Sequence, residues 1–288
     1  MRLLSARPLK RFRKRLRSHL GRALGLDPFG GGAPPERLTE TQRLFVEWNA
    51  TRLGIPVEQS LERYLDSWSA IRGGHRKQAY TDFCEASYRV FRPFHDDSPA
   101  EIYDAYRFHA PLHFLRMLSK EEPSWPDDHP VLRGVAGRDR VRILDYGCGL
   151  AQRSRTLAAA LRARGQTVDL ALADVATLRK PFLLWLCERT GLPVAFLECS
   201  ESEPVPKLPD AVDVCIANDV FEHLHDPLPV LDAMLCALAP GAFLLTDLAQ
   251  HVGGYMHVSP SLGALRERLA ERGFREVRAR RLYRAPTG

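Results

Sequence analysis

No run of about 18 apolar residues occurs in this 288-residue chain, so the sequence offers no membrane-spanning helix. Cysteine is sparse. Cys84, Cys148, Cys187, Cys199, Cys215 and Cys236 include no Cys-x-x-Cys pair, which supports neither a zinc site nor a disulfide framework. Cys199 and Cys215 fall in apolar, strand-like stretches, as buried free thiols do in a reducing, cytoplasmic setting. No internal repeat is present.

Acidic residues are missing from residues 1–26, which hold nine Lys or Arg. Removing those nine charges from the net +6 leaves −3 for the rest of the chain. The folded part therefore lacks a basic excess, and no nucleic-acid partner is expected. Leu9, Phe12, Leu16 and Leu20 stand at helical spacing among the basic residues. Three readings of this segment stay open: a helix on an anionic membrane surface, an organellar transit peptide, or a solvated tail. Asp27 to Pro35, rich in glycine and proline, reads as a linker.

What is present divides the chain in three: residues 1–35, a basic tail and linker; 36–125, a helical region; and 126–288, an α/β domain. The helical region opens at Thr39-Glu40-Thr41-Gln42, with Leu44, Phe45 and Trp48 in period. A second run after Pro56 carries Leu61, Tyr64, Leu65 and Trp68. Further runs span 77–91 and 100–118, the last with Tyr103, Tyr106, Arg107 and His109. Aromatic stripes at this spacing pack helix on helix.

Beyond Arg140, short apolar runs alternate with helical periods. Strands are expected at 141–144, 168–173, 194–197, 212–217, 242–248 and 274–282. Helices are expected at 152–164, 178–190, 227–238 and 261–272. Such alternation builds a parallel sheet covered on both faces, with ligands at the carboxyl ends of its strands.

The first strand runs into Leu144-Asp145-Tyr146-Gly147-Cys148-Gly149 and then a helix. The glycines permit a tight turn and close approach of a ligand to the backbone. The G-x-G-x-x-G dinucleotide fingerprint is not met, which weakens a nicotinamide oxidoreductase. A carboxylate inside the loop would repel a pyrophosphate. Asp145 suits a ligand with a cationic end instead.

This segment resembles the first motif of class I S-adenosylmethionine-dependent methyltransferases, and the likeness runs over residues 138–288. It implies a Rossmann-like, doubly wound, mostly parallel sheet of six or seven strands with an N-terminal helical appendage, residues 36–125, that would cover the acceptor pocket as a lid and recognise the acceptor. The implied cofactor is S-adenosylmethionine, held by Asp145, Gly147, Cys148 and Gly149. The resemblance also places Asp174 on the ribose hydroxyls, with Val175 beside it. Ser200 or Glu201 would take the adenine amino group, although the family's usual Gly-Asp pair is Cys199-Ser200 here. Asn218 and Asp219 would border the cofactor after the fourth strand. Glu222-His223 and Asp226-Pro227 are similar to small-molecule methyltransferases of the ubiquinone-biosynthesis type. The nucleic-acid amino-methylase motif Asn-Pro-Pro-Tyr is absent.

An oxygen acceptor must lose a proton, and histidine is the usual base near neutral pH. The candidates are His223, His251 and His257, the last two in a loop with Gly253, Gly254 and Tyr255. No metal is the primary expectation. The alternative is a divalent ion on Asp219, Glu222 and His223, which would acidify a phenol directly. The expected partner is a small-molecule acceptor. Two other readings stand beside it: a methyltransferase-like binding protein without catalysis, and a peripheral membrane enzyme acting on lipid or quinone.

Overall fold

The structure is a computed structural model that describes residues 38–72, 117–118, 122–175, 179–200, 203–249, 259 and 262–287. The basic tail, the 77–91 run, most of the 100–118 run, Glu201, His251 and His257 lie outside the described residues.

Two helices come first. Thr39 caps α1 (Glu40–Leu53): its hydroxyl accepts from the Gln42 N–H while the Gln42 side chain accepts from the Thr39 N–H. This reciprocal pair satisfies two N–H groups that a helix start leaves open. Gly54 ends α1 in the left-handed region at φ 62°. Helix α2 (Val57–Arg72) follows after Pro56.

A seven-stranded sheet makes up the remainder. Its strands are β1 (Arg140–Tyr146), β2 (Thr167–Val175), β3 (Val194–Cys199), β4 (Val212–Ala217), β5 (Leu238–Thr246), β6 (Arg275–Arg278) and β7 (Leu282–Arg284). They stand in the order β3-β2-β1-β4-β5-β7-β6. Neighbours from β3 through β5 are parallel, and β7 runs antiparallel to both β5 and β6. Among the described residues five further helices accompany the sheet: α3 (Pro130–Gly134), α4 (Gln152–Arg162), α5 (Arg179–Arg189), α6 (Pro227–Ala237) and α7 (Gly263–Glu271).

Strand residues alternate between two cores, as a pleated sheet requires. Val141, Ile143, Leu170, Leu172, Val214 and Ile216 face α3, α4 and α5, through Val131, Leu157, Leu161 and Leu183. Leu144, Ala171, Ala173, Cys215 and Ala217 face α6 and α7, through Leu231, Met234, Leu265 and Leu269. Burial on both faces explains why the central strands read as continuous apolar runs.

A third cluster joins the N-terminal helices to this body. Val46, Trp48 and Tyr64 pack with Leu118, Leu150, Phe182 and Leu186. The Phe45 ring meets Phe182 edge-on with centroids 5.3 Å apart. A polar link runs beside it. The buried Arg155 donates to Leu150 O and to Glu122 Oε1, both at 3.0 Å, and Glu122 Oε1 also accepts from the Thr41 hydroxyl at 2.6 Å.

Two expectations need correction. The single last strand over 274–282 is instead a hairpin, β6 and β7, turning at Arg280 with φ 57°. The sheet thus has seven strands. Strand β5 also begins earlier than Ala242, because Leu238 already pairs with Val212 across a register shift.

Candidate functional site

Parallel strands end on one edge, and the loops leaving β1, β2 and β4 gather there. After β1 the chain turns through Gly147 (φ 66°), Gly149 (φ 58°) and Ala151 (φ 51°) before α4 begins. Positive φ is the region that glycine enters without strain. A Cβ on Gly147 would lie 2.5 Å from Val220 Cγ2, so close packing also demands glycine there. The loop is pinned to β2: the Gly147 and Cys148 N–H groups both donate to Ala173 O, at 2.7 and 3.2 Å.

Asp174 stands at the tip of β2. Its carboxylate accepts from the Gly149 N–H at 2.7 Å and from the Val175 N–H at 2.8 Å. Arg179 Nη2 lies 3.7 Å away and offsets its charge. The Cys148 thiol is 3.9 Å from the same carboxylate. Burial, with Asp174 and Asp145 nearby, pushes that thiol well above its ordinary range. It stays protonated and is no nucleophile.

Asp145 is buried beneath the loop, where Ser154 Oγ donates to it at 2.5 Å. Its carboxyl is raised to about 7, chiefly by desolvation. The Ser154 hydrogen bond opposes this rise, Asp174 adds to it, and Arg153 opposes it. Asp145 is therefore poised between neutral and charged near physiological pH.

At the end of β3, Ser200 closes a turn. Its N–H donates to Glu203 O at 3.0 Å, and its hydroxyl accepts from the Glu203 N–H at 3.1 Å. Beyond β4, Asp219 is exposed with φ 54°. Before it, Asn218 Nδ2 is sealed from solvent and has no hydrogen-bond partner among the described residues. Such an orphaned donor is uncommon, and it stands where a ligand would reach it.

Asp219, Glu222 and His223, the alternative metal set, are all among the described residues. Among the described residues no three His, Cys, Asp or Glu side chains converge as a metal site. Phe221 to His223 wind into one 3₁₀ turn that buries Glu222, while Asp219 stays exposed. His223 is half-buried in that turn, its N–H donating to Val220 O at 2.9 Å.

A cleft of about 380 Å³ opens beside the loop. Asn218 and Asp219 border it after β4, Leu245 in β5, Asp247 just after it, and Gln152 and Arg153 at the start of α4. His129 forms part of the opposite wall. Its Nδ1 accepts from the Val131 N–H at 3.3 Å, and its ring meets Trp125 edge-on at 4.7 Å. The cleft residues His129, Arg153 and Asp247 were not among the sequence candidates. They come from separate elements, and only the fold gathers them. His223 is not in the wall.

Fold and site together define an α/β protein with a glycine loop after β1 and an acid at the tip of β2. The chain belongs to the methyltransferase-domain family, whose model matches residues 103–284. Two ubiquinone biosynthesis O-methyltransferases are similar to it. That of Paraburkholderia phymatum is 26% identical over 151 residues, 51% of this chain and 57% of the relative. That of Pseudomonas savastanoi pv. phaseolicola is 28% identical over 134 residues, 46% and 50%. The chain thus spans about half the length of these curated relatives. Among solved structures, a SAM-dependent methyltransferase from Aquifex aeolicus aligns with a TM-score of 0.37 and 21% identity. That alignment covers 50% of this chain and 80% of the other.

Proposed function

We propose that this chain is an S-adenosylmethionine-dependent methyltransferase acting on a small-molecule acceptor, at oxygen. One observation carries the reading: the loop with Gly147 and Gly149, the acid Asp174 and the orphaned donor Asn218 share one sheet edge with an adjoining cleft. The family match supports the activity, and the names of the curated relatives support oxygen as the target.

The residues present fit the cofactor. Gly147 and Gly149 supply the positive φ that the tight loop around the cofactor would need. The Asp174 carboxylate can accept two ribose hydroxyls in parallel. Ionised Asp145 matches the ammonium of the amino-acid end. When bound, the cofactor supplies a methyl group on a sulfonium, already a good electrophile. The chain's own task is alignment, holding an acceptor oxygen in line with the methyl–sulfur bond. Asp145, Gly147, Gly149 and Asp174 would hold the cofactor, which would give its methyl group to the acceptor oxygen and be left as a neutral thioether. We place the acceptor's hydroxyl proton on Asp219, whose carboxylate borders the cleft. His129 instead positions, because its Nδ1 is already an acceptor and its Nε2 therefore carries the hydrogen in the neutral ring.

Incubating the full chain with methyl-labelled cofactor and a small-molecule extract tests the reading. A labelled small molecule carrying a new methoxy group is the expected product. Label only in macromolecules, or none transferred at all, would overturn it.

A further inference from the structure

The cleft has a charged wall that methyl transfer alone does not require. Arg153 reaches it from the first turn of α4, Arg278 from the end of β6, and Arg281 from the hairpin turn. Arg281 Nη2 lies 3.5 Å from Asp247 Oδ2, so that pair is internally balanced. The side chains of Arg153 and Arg278 have no ion-pair or hydrogen-bond partner among the described residues. Both guanidinium groups are felt by His129, where with desolvation they lower the pKa. Two unpaired cations therefore face one small space, with Asp219 the remaining carboxylate in its wall. Leu245 and Leu282 supply an apolar lining between them.

We propose that the methyl acceptor carries an anionic group, a carboxylate or a phosphate, which docks between Arg153 and Arg278. The inference rests on the cleft being the acceptor site of the methyltransferase reading. Guanidinium forks suit this ligand, since each presents parallel N–H donors to two oxygens. Position assigns the anion to the acceptor and not to the cofactor. The ribose and adenine belong at the tips of β2 and β3, on one side of β1. Arg278 stands on β6 at the opposite edge, with β4, β5 and β7 between it and β1. An acceptor hydroxyl then points toward Asp219 while its anionic end is held at the far wall.

The test uses the full chain saturated with S-adenosylhomocysteine, a loading verified by calorimetry. Titrations with 3,4-dihydroxybenzoate and with catechol compare the same ring with and without a carboxylate. The carboxylate form is expected to bind about tenfold tighter or better, in keeping with charge-assisted hydrogen bonds. Arg153→Ala and Arg278→Ala should each erase most of that preference, and Arg278→Lys should restore part of it. Arg278→Ala should not alter affinity for S-adenosylhomocysteine. Competition by inorganic phosphate against the benzoate would identify phosphate as an accepted anion, and its failure would restrict the site to carboxylates. Equal binding of the two rings, or no binding of either, overturns the inference and leaves the cofactor reading standing. Weaker S-adenosylhomocysteine binding in both variants also overturns it, by assigning the arginines to the cofactor. Failure of the wild-type chain to bind S-adenosylhomocysteine overturns both readings.

Discussion

Asp145 is the residue whose state the fold controls most tightly. Burial raises its carboxyl to about 7, against an ordinary value of 3.8. Between those two values the folded chain holds the proton more firmly than the unfolded chain does. The contribution of Asp145 to stability therefore falls as pH rises from about 4 to about 7 and is level above that. Cofactor binding runs the other way, because the ammonium end favours the ionised carboxylate. Affinity for S-adenosylmethionine is expected to drop about tenfold from pH 8 to pH 6, with proton release on binding in buffers near pH 7. Calorimetry across this range checks it. Asp145→Asn should flatten the profile, and a pH-independent wild-type affinity would separate Asp145 from the cofactor. Asp174 differs in kind, since Gly149 N–H, Val175 N–H and Arg179 surround its carboxylate with donors and opposite charge.

At the scale of elements, α5 links the cofactor edge to the N-terminal helices. Arg179, its first residue, faces Asp174, and Phe182 is fully buried against Phe45 and Trp48. Phe182→Ala removes that anchor and is expected to cost about 3–5 kcal/mol, measurable by chemical denaturation. A loss under about 1 kcal/mol would mean that the helices contribute little to holding the body. Most elements here were legible in the sequence. The buried parallel strands announce themselves as apolar runs, and Thr39-x-x-Gln42 marks the start of α1. The β6–β7 hairpin was not legible, because Arg278-Ala279-Arg280-Arg281 contains none of the Gly, Asn or Asp that usually mark a turn. The backbone turns at Arg280 nonetheless, since β7 is held on its other side by β5. Glu222 reads as a metal ligand by spacing alone, and only the 3₁₀ turn shows that it points into the protein. The glycine loop after β1 was legible because it follows a local strand–loop–helix pattern. The cleft was not, since His129, Arg153, Asp247 and Arg278 share no motif.

For the whole molecule, the sheet order divides labour. On the proposed reading, loops from β1, β2 and β3 would face the cofactor, while residues of β4, β5 and the terminal hairpin line the cleft that Asn218 and Asp219 border. Methyl transfer needs two ligands brought end to end, and the proposed reading would put their meeting point at the tip of β4. The N-terminal helices pack over Leu150 and α5, on the cofactor side. The central claim is that S-adenosylmethionine binds at this edge with Asp174 as its ribose partner. Titrating the full chain and its Asp174→Ala variant with S-adenosylmethionine tests it most directly. One-to-one binding that weakens at least about tenfold in the variant, with an unchanged circular dichroism spectrum, is the predicted result. No binding, or equal affinity in the two proteins, would contradict it.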